Sequence, residues 1–298
     1  MRKAFFQLHM AVLLAGFTAI FGNLILLNEG LLVWYRLLLS VIVIGIALRS
    51  KNKFEKIKPS EFIKITAVGL ILALHWVLFY GSIKYANVSV GVVCLSAAGF
   101  FSSILEPVLL KTKFVFIEFI FGLIGLLGVY IIFDFHPQYK TGIVFGLLSA
   151  LGSACFPMYN KKLLNRFNPI TLTFYEFLGG LLMLTVFLPF YFIKFPPKYF
   201  IPTSSDLCWL LLLVVFCTIL AFVLQLRALK TISAFTSNLT YNLEPVYGVF
   251  LAFLIFNEHK LIDNHFYLGV AFIILAIGLQ MIRVLTLAKM KKKIHVDI

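Results

Sequence analysis

The chain has 298 residues, 61% of them hydrophobic and 13% charged, with a mean hydropathy of +1.01. Soluble domains are about half apolar and about a quarter charged, so this excess excludes an ordinary water-soluble fold. The net charge of +14 would suit nucleic acid, but the basic residues gather in short breaks between apolar runs, where they orient a membrane protein, and no nucleic-acid partner is expected.

In chain order the apolar runs predict ten spans, at 5–27, 31–48, 62–83, 88–110, 114–133, 142–160, 169–193, 207–226, 232–256 and 266–286. Each is close to the roughly 20 residues a helix needs to cross a bilayer. The first run is too long for a signal-peptide core and lacks a small-residue cleavage site, so it is expected to be retained as a span. Barrel strands would alternate apolar and polar residues. Here the runs are continuous, as in Leu210 to Phe216. Cys94, Cys155, Cys208 and Cys217 all fall inside such runs without CxxC spacing, which reads as small buried hydrophobes.

The charges orient these spans. Of 26 lysines and arginines, Lys84, Lys140, Lys194, Lys198 and Lys260 fall at one set of alternating breaks and Arg36 lies within a span. The remaining 20 fall on the other side, including the lysine-rich tail after Arg283. The positive-inside rule then predicts a multi-pass protein of the cytoplasmic membrane with both termini in the cytoplasm, its tail lying against an anionic leaflet.

Ten spans divide into two sets of five, residues 1–136 and 137–298. Because five is odd, a duplicated unit would insert upside down. This makes the expected fold all-α, a polytopic bundle of ten transmembrane helices as two inverted five-helix repeats, with substrate bound between them. Trp34-Tyr35-Arg36 follows Asn23 much as Phe174-Tyr175-Glu176 follows Asn160. Leu105-Glu106-Pro107 and Leu243-Glu244-Pro245 are identical, but Glu106 lies five residues before Lys111 and Glu244 fourteen before Glu258. The tripeptides therefore sit at different depths and are not repeat equivalents.

With ten spans, short loops, a basic second loop, Tyr35-Arg36 and the stretch from Ser233-Ala234 through Leu243-Glu244-Pro245, the chain resembles the EamA-type permeases of the drug/metabolite transporter superfamily. It departs from the family pattern at Asn257, where a Gly-Glu pair is common, and at Ala98-Gly99, where a proline is expected. The resemblance implies a secondary transporter of small organic metabolites such as amino acids, acting outward by alternating access.

An ionisable group in hydrocarbon costs roughly 2.5–3.5 kcal/mol on insertion scales, so each intramembrane one needs a reason. Glu244, with Asn238, Thr240, Tyr241 and Asn242, forms the most polar patch in any span. Its carboxyl is expected to bind a proton or a substrate ammonium, or else to hydrogen-bond a neighbouring helix, and Pro245 is expected to loosen the helix there. His75 is either a proton relay or a histidine satisfied by a neighbour. Trp76 and Tyr80 either stack on substrate or pack, and Asn23, Tyr159 and Gln225 are further candidates to line a cavity. Glu106 is expected to gate or to pair with Lys111. Arg36 is expected to attract an anion at the outer mouth or to snorkel to headgroups, and Glu176 to be a gate or structural polar group. Gly122, Gly125 and Gly128, and the pair Gly179-Gly180, are packing surfaces first and hinges second.

No Walker, Rossmann, HExxH or GxSxG motif occurs, so neither ATP-driven pumping nor a cofactor or metal is expected. The expected partners are a small-molecule substrate and the bilayer, with proton coupling or facilitated diffusion both open. A non-transporting helper subunit and an intramembrane enzyme are the competing classes. The second would need clustered catalytic residues that the sequence does not present.

Overall fold

The computed structural model describes residues 2–50, 55, 57–135, 137–232, 237, 240–241, 243–257 and 264–294. Among them there are helices and no strand. The helices are α1 (Arg2–Leu24), α2 (Glu29–Ser50), α3 (Pro59–Tyr85), α4 (Val88–Cys94), α5 (Ala98–Leu110), α6 (Phe116–Phe135), α7 (Lys140–Leu163) and α8 (Pro169–Lys194). After them come α9 (Ser204–Leu212), α10 (Ala221–Leu229), α11 (Glu244–Phe256) and α12 (Asn264–Ile294). A 3₁₀ turn, Leu95–Ala97, joins α4 to α5, and a π-helical segment, Leu213–Leu220, joins α9 to α10.

Among the described residues, seven helical stretches are long and apolar enough to cross a membrane: α1, α2, α3, Val88–Leu110, α7, α8 and Ser204–Leu229. Shorter apolar helices at Phe116–Ile131, Glu244–Phe256 and Tyr267–Arg283 lie where the other three spans are expected. In the expected span 232–256 the described residues are helical at Ser237, Thr240 and Tyr241, turn at Leu243 and are helical again over Glu244–Phe256. The loosening expected at Pro245 falls beside a turn at Leu243, between helical Thr240-Tyr241 and α11. Pro245 occupies the first turn of α11, where its missing N–H is one that helix starts leave unpaired anyway.

Local chemistry explains most boundaries. Asn87 accepts from the Val90 N–H at 2.8 Å to start α4, and Asn168 accepts from Ile170 and Thr171 ahead of Pro169 to start α8. Thr203 and Asp206 form a reciprocal capping box at α9. Lysines close two chain turns from outside: Lys84 donates to the carbonyls of Ile25 and Leu27, and Lys161 to those of Leu229 and Ile232. A cation near a helix C-terminus satisfies carbonyls and opposes the helix dipole. Both α5 and α11 end in a left-handed residue, Lys111 at φ 54° and Asn257 at φ 53°. Asparagine is the usual second choice after glycine for that conformation, which accounts for Asn257 at a position where glycine is common.

Helix α3 is central, packing along both α7 and α8; α1 packs on α10, and α6 on α12. Small residues set these distances. A Cβ on Gly69 would meet the Glu176 carbonyl oxygen at 2.1 Å and the Gly180 nitrogen at 2.8 Å. The glycine ladder of α6 is divided between neighbours: Gly122 abuts the Phe100 backbone and Gly128 the Gly269 carbonyl, whereas Gly125 has only Ala276 at 3.8 Å.

At the bundle end where α1 finishes, the Asp206 carboxylate accepts from Leu26 N–H at 2.7 Å, Tyr199 Oη at 2.9 Å and Thr203 at 2.8 Å. Desolvation and the neighbouring Asp206 carboxylate push the Tyr199 phenol up to about 12, so its donated bond persists across physiological pH.

Gly69→Ala is expected to lower stability by about 1–3 kcal/mol, because backbone on α8 blocks the new methyl. Gly278→Ala, with nothing within 4 Å, is expected to be neutral or to gain up to about 1 kcal/mol. Thermal unfolding of the two variants in the same detergent checks the contrast.

Candidate functional site

A cavity of about 90 Å³ lies at the centre of the bundle, enough for about three water molecules. Helices α1, α2, α3, α7 and α10, the two irregular joints and the start of α11 all contribute to its wall.

Arg36 of α2 dominates it. The side chain is 2% exposed, so it neither snorkels nor sits at a mouth. Protein groups hold its guanidinium in the bundle interior. Nε donates to Thr218 Oγ1 at 2.7 Å, Nη1 to Tyr80 Oη at 2.8 Å, and Nη2 to the Cys217 carbonyl at 3.3 Å. The guanidinium carbon lies 3.6 Å from the Trp76 ring centroid, a close cation–π contact. Trp76 and Tyr80 are thus both engaged by Arg36.

The π-helical segment makes two of these bonds available. The Ala221 N–H, which in an α-helix would go to Cys217, instead reaches Phe216 and Thr218. The Cys217 carbonyl is thereby freed to accept from Arg36. Thr218 Oγ1 passes its own proton back to Leu213 at 2.8 Å, leaving a lone pair for Arg36 Nε.

Glu244 faces the same cavity, within electrostatic reach of Arg36. No ion pair within 4 Å joins them among the described residues. Tyr241 and Gln225 line the wall beside Glu244, while Asn238 and Asn242 lie outside the described residues. His75 borders the cavity with its Nδ1 2.8 Å from both the carbonyl and the hydroxyl oxygen of Ser149. Since a carbonyl only accepts, Nδ1 carries the proton in the first bond. That makes His75 a histidine tied to its neighbouring helix.

Two expected cavity residues lie elsewhere. Asn23 lines a separate recess with Lys84 and Asn87 at the end of α1, and Tyr159 faces a groove between α3 and α7. Each is on a helix that touches the cavity, but on another face of it. Glu106 is also outside the cavity, near the end of α5. It has no ion-pair partner within 4 Å among the described residues, so the expected pair with Lys111 is not formed. The ion pair nearby is Arg283 with Glu118 at 2.6 Å. Glu176 is fully buried on α8, whose backbone there packs on Gly69 of α3, and among the described residues neither carboxyl oxygen has a hydrogen-bond partner.

Thr218, the Cys217 carbonyl, Ser149 and Thr18 are site groups that sequence reasoning passed over. The adjacent Cys217-Thr218 pair inside the apolar run 210–220 was the available signal for the first two.

Removing one acceptor from Arg36 strands a charged donor. Tyr80→Phe and Thr218→Val are each expected to cost about 1–3 kcal/mol. The double variant should depart from the sum of the singles by 0.5 kcal/mol or more, on the order expected for partners of one network. Unfolding midpoints of the four proteins in one detergent provide the cycle, and strict additivity would contradict a shared role.

The EamA-like transporter family model matches residues 2–134 and again 140–282. The chain is 30% identical over 139 residues to an uncharacterized transporter of Archaeoglobus fulgidus, covering 45% of this chain and 49% of that protein. It is 26% identical over 162 residues to an uncharacterized transporter of Haemophilus influenzae, covering 51% and 53%. The chain thus spans about half the length of the curated relatives it matches. A solved crystal structure shares the fold with a TM-score of 0.66 at 15% identity, covering 96% of this chain and 99% of the other. With the family pattern matched along both halves of an apolar, all-helical bundle, the chain belongs to the EamA-like transporter family.

Proposed function

We propose that the protein is a secondary transporter that moves small organic metabolites, amino acids foremost, outward across the cytoplasmic membrane. The observation that carries this reading is the central cavity, where a fixed guanidinium and a carboxylate face each other without forming an ion pair. A zwitterion of amino-acid type complements such a pair. Its carboxylate meets the Arg36 N–H groups left over after three bonds, and its ammonium meets Glu244. Trp76 holds the guanidinium plane in place, and Gln225 and Tyr241 add neutral hydrogen-bonding groups. In the absence of substrate, Glu244 and the second ring nitrogen of His75, Nε2, are the cavity groups placed to take a proton.

In this reading ten spans form two inverted repeats, 1–136 and 137–298, with both termini cytoplasmic. Support comes from the doubled family match and from α5 and α11, two 13-residue helices with matching left-handed caps. Alternating access then rocks the two halves about the cavity. The backbone irregularities at Leu95–Ala97 and Leu213–Leu220 lie where such movement would be absorbed.

Counterflow into proteoliposomes preloaded with amino acids, sugars or nucleosides tests the reading. Uptake is expected with at least one amino acid. Glu244→Gln, inserted normally, is expected to lower it by about tenfold or more, the loss of one charge-assisted contact. Absence of counterflow for every class would overturn the assignment, and unchanged flux in Glu244→Gln would remove Glu244 from the site.

A further inference from the structure

A second cavity, of about 510 Å³, opens between α3 and α7 at the bundle end where α3 begins and α7 ends. Its wall is apolar, formed by Ala67, Val68, Ile71, Leu163 and Phe167 with the ring of Tyr159. Its mouth carries Lys64, Lys162 and Arg166, all exposed, against one acid, Glu61. Arg166 lies 3.6 Å from Glu61, and Lys162 Nζ donates to the Leu109 carbonyl at 2.8 Å. These contacts hold two of the cations at the rim, and each keeps further N–H groups to donate. The mouth is thus positive by two charges.

Below the mouth the groove runs on into exposed apolar surface. His75 meets Ser149, and Gly152 abuts His75, which brings the middles of α3 and α7 to one level. Leu74, Leu148 and Leu151, on that stretch of the two helices, are 40%, 47% and 36% exposed. A cationic rim at a helix end, continuous with an apolar track running toward the bundle centre, matches a molecule with an anionic head and a long hydrocarbon tail. A soluble anion would use the rim and leave the track bare. A neutral lipid would use the track and leave the rim without a charge partner.

We infer that the α3–α7 groove is a binding site for an anionic diacyl phospholipid, its phosphate held by Lys64, Lys162 and Arg166 and an acyl chain lying along Ile71 and Leu74. Basic pockets between membrane helices are suited to such headgroups. The groove is separate from the Arg36 cavity, so this site does not depend on what is transported.

The test is binding of dioleoylphosphatidylglycerol, dioleoylphosphatidylcholine and inorganic phosphate to the purified full chain, read by native mass spectrometry and by thermal stabilisation. Phosphatidylglycerol is expected to bind about tenfold tighter than phosphatidylcholine, with phosphate unable to compete at equal concentration. Lys64→Gln/Lys162→Gln/Arg166→Gln should abolish the preference. Glu61→Gln, which removes the competing carboxylate, should sharpen it, and this gain does not depend on the triple variant folding well. Equal binding of the two lipids, a preference kept in the folded triple variant, a preference unchanged by Glu61→Gln, or displacement of lipid by phosphate alone would each overturn the assignment.

Discussion

A guanidinium that never loses its charge sits inside an apolar helix bundle, and the architecture around it follows from the need to satisfy it. Burying such a charge in hydrocarbon is costly unless partners replace its water. Arg36, on α2, finds three acceptors and an aromatic face on two other helical stretches: Tyr80 and Trp76 on α3, and Thr218 and the Cys217 carbonyl on the π-helical segment. Packing α2 against α3 and the π-helical segment is therefore not only hydrophobic contact. It is also the condition under which the charge can be kept.

Among the described residues, three breaks in helical regularity border the same space. Leu95 of the 3₁₀ turn, Cys217 of the π segment and Glu244 at the start of α11 all line the central cavity. Non-regular backbone at membrane depth is tolerated only where it faces protein or a polar space, because lipid cannot replace the lost hydrogen bonds. The irregularities and the polar cavity thus require each other. The carbonyl released by the π segment has a use because Arg36 is there, and Arg36 is affordable because the carbonyl is released.

The spans were legible because continuous apolar runs of about 20 residues have few alternatives, and the Glu244 patch because intramembrane polar residues are rare. Which polar residues share a cavity was much less so. In a soluble helix the apolar stripe tells which way each residue points. In a bilayer the outward face is as apolar as the inward one, so that phase information is lost. Asn23 and Tyr159 are only candidates for the cavity by sequence for this reason, and they lie on other faces of α1 and α7. Arg36 was placed at the periphery because sequence offers no sight of Thr218, 182 residues away. The π segment compounds the problem, since one extra residue in a turn rotates everything after it.

By itself, the sequence determined that the chain is a helical membrane protein, that its helices start and stop near the observed caps, and that Glu244 and its neighbours form an unusual polar patch. These are properties of local composition: burial length, N-cap side chains and the cost of charge in lipid. Only the tertiary structure decided that Arg36, Trp76, Tyr80, Thr218 and Glu244 meet in one cavity, that His75 belongs to Ser149, and that Pro245 opens a helix. Those facts depend on helix phase and on contacts between distant segments, which a uniformly apolar sequence does not encode in any local pattern.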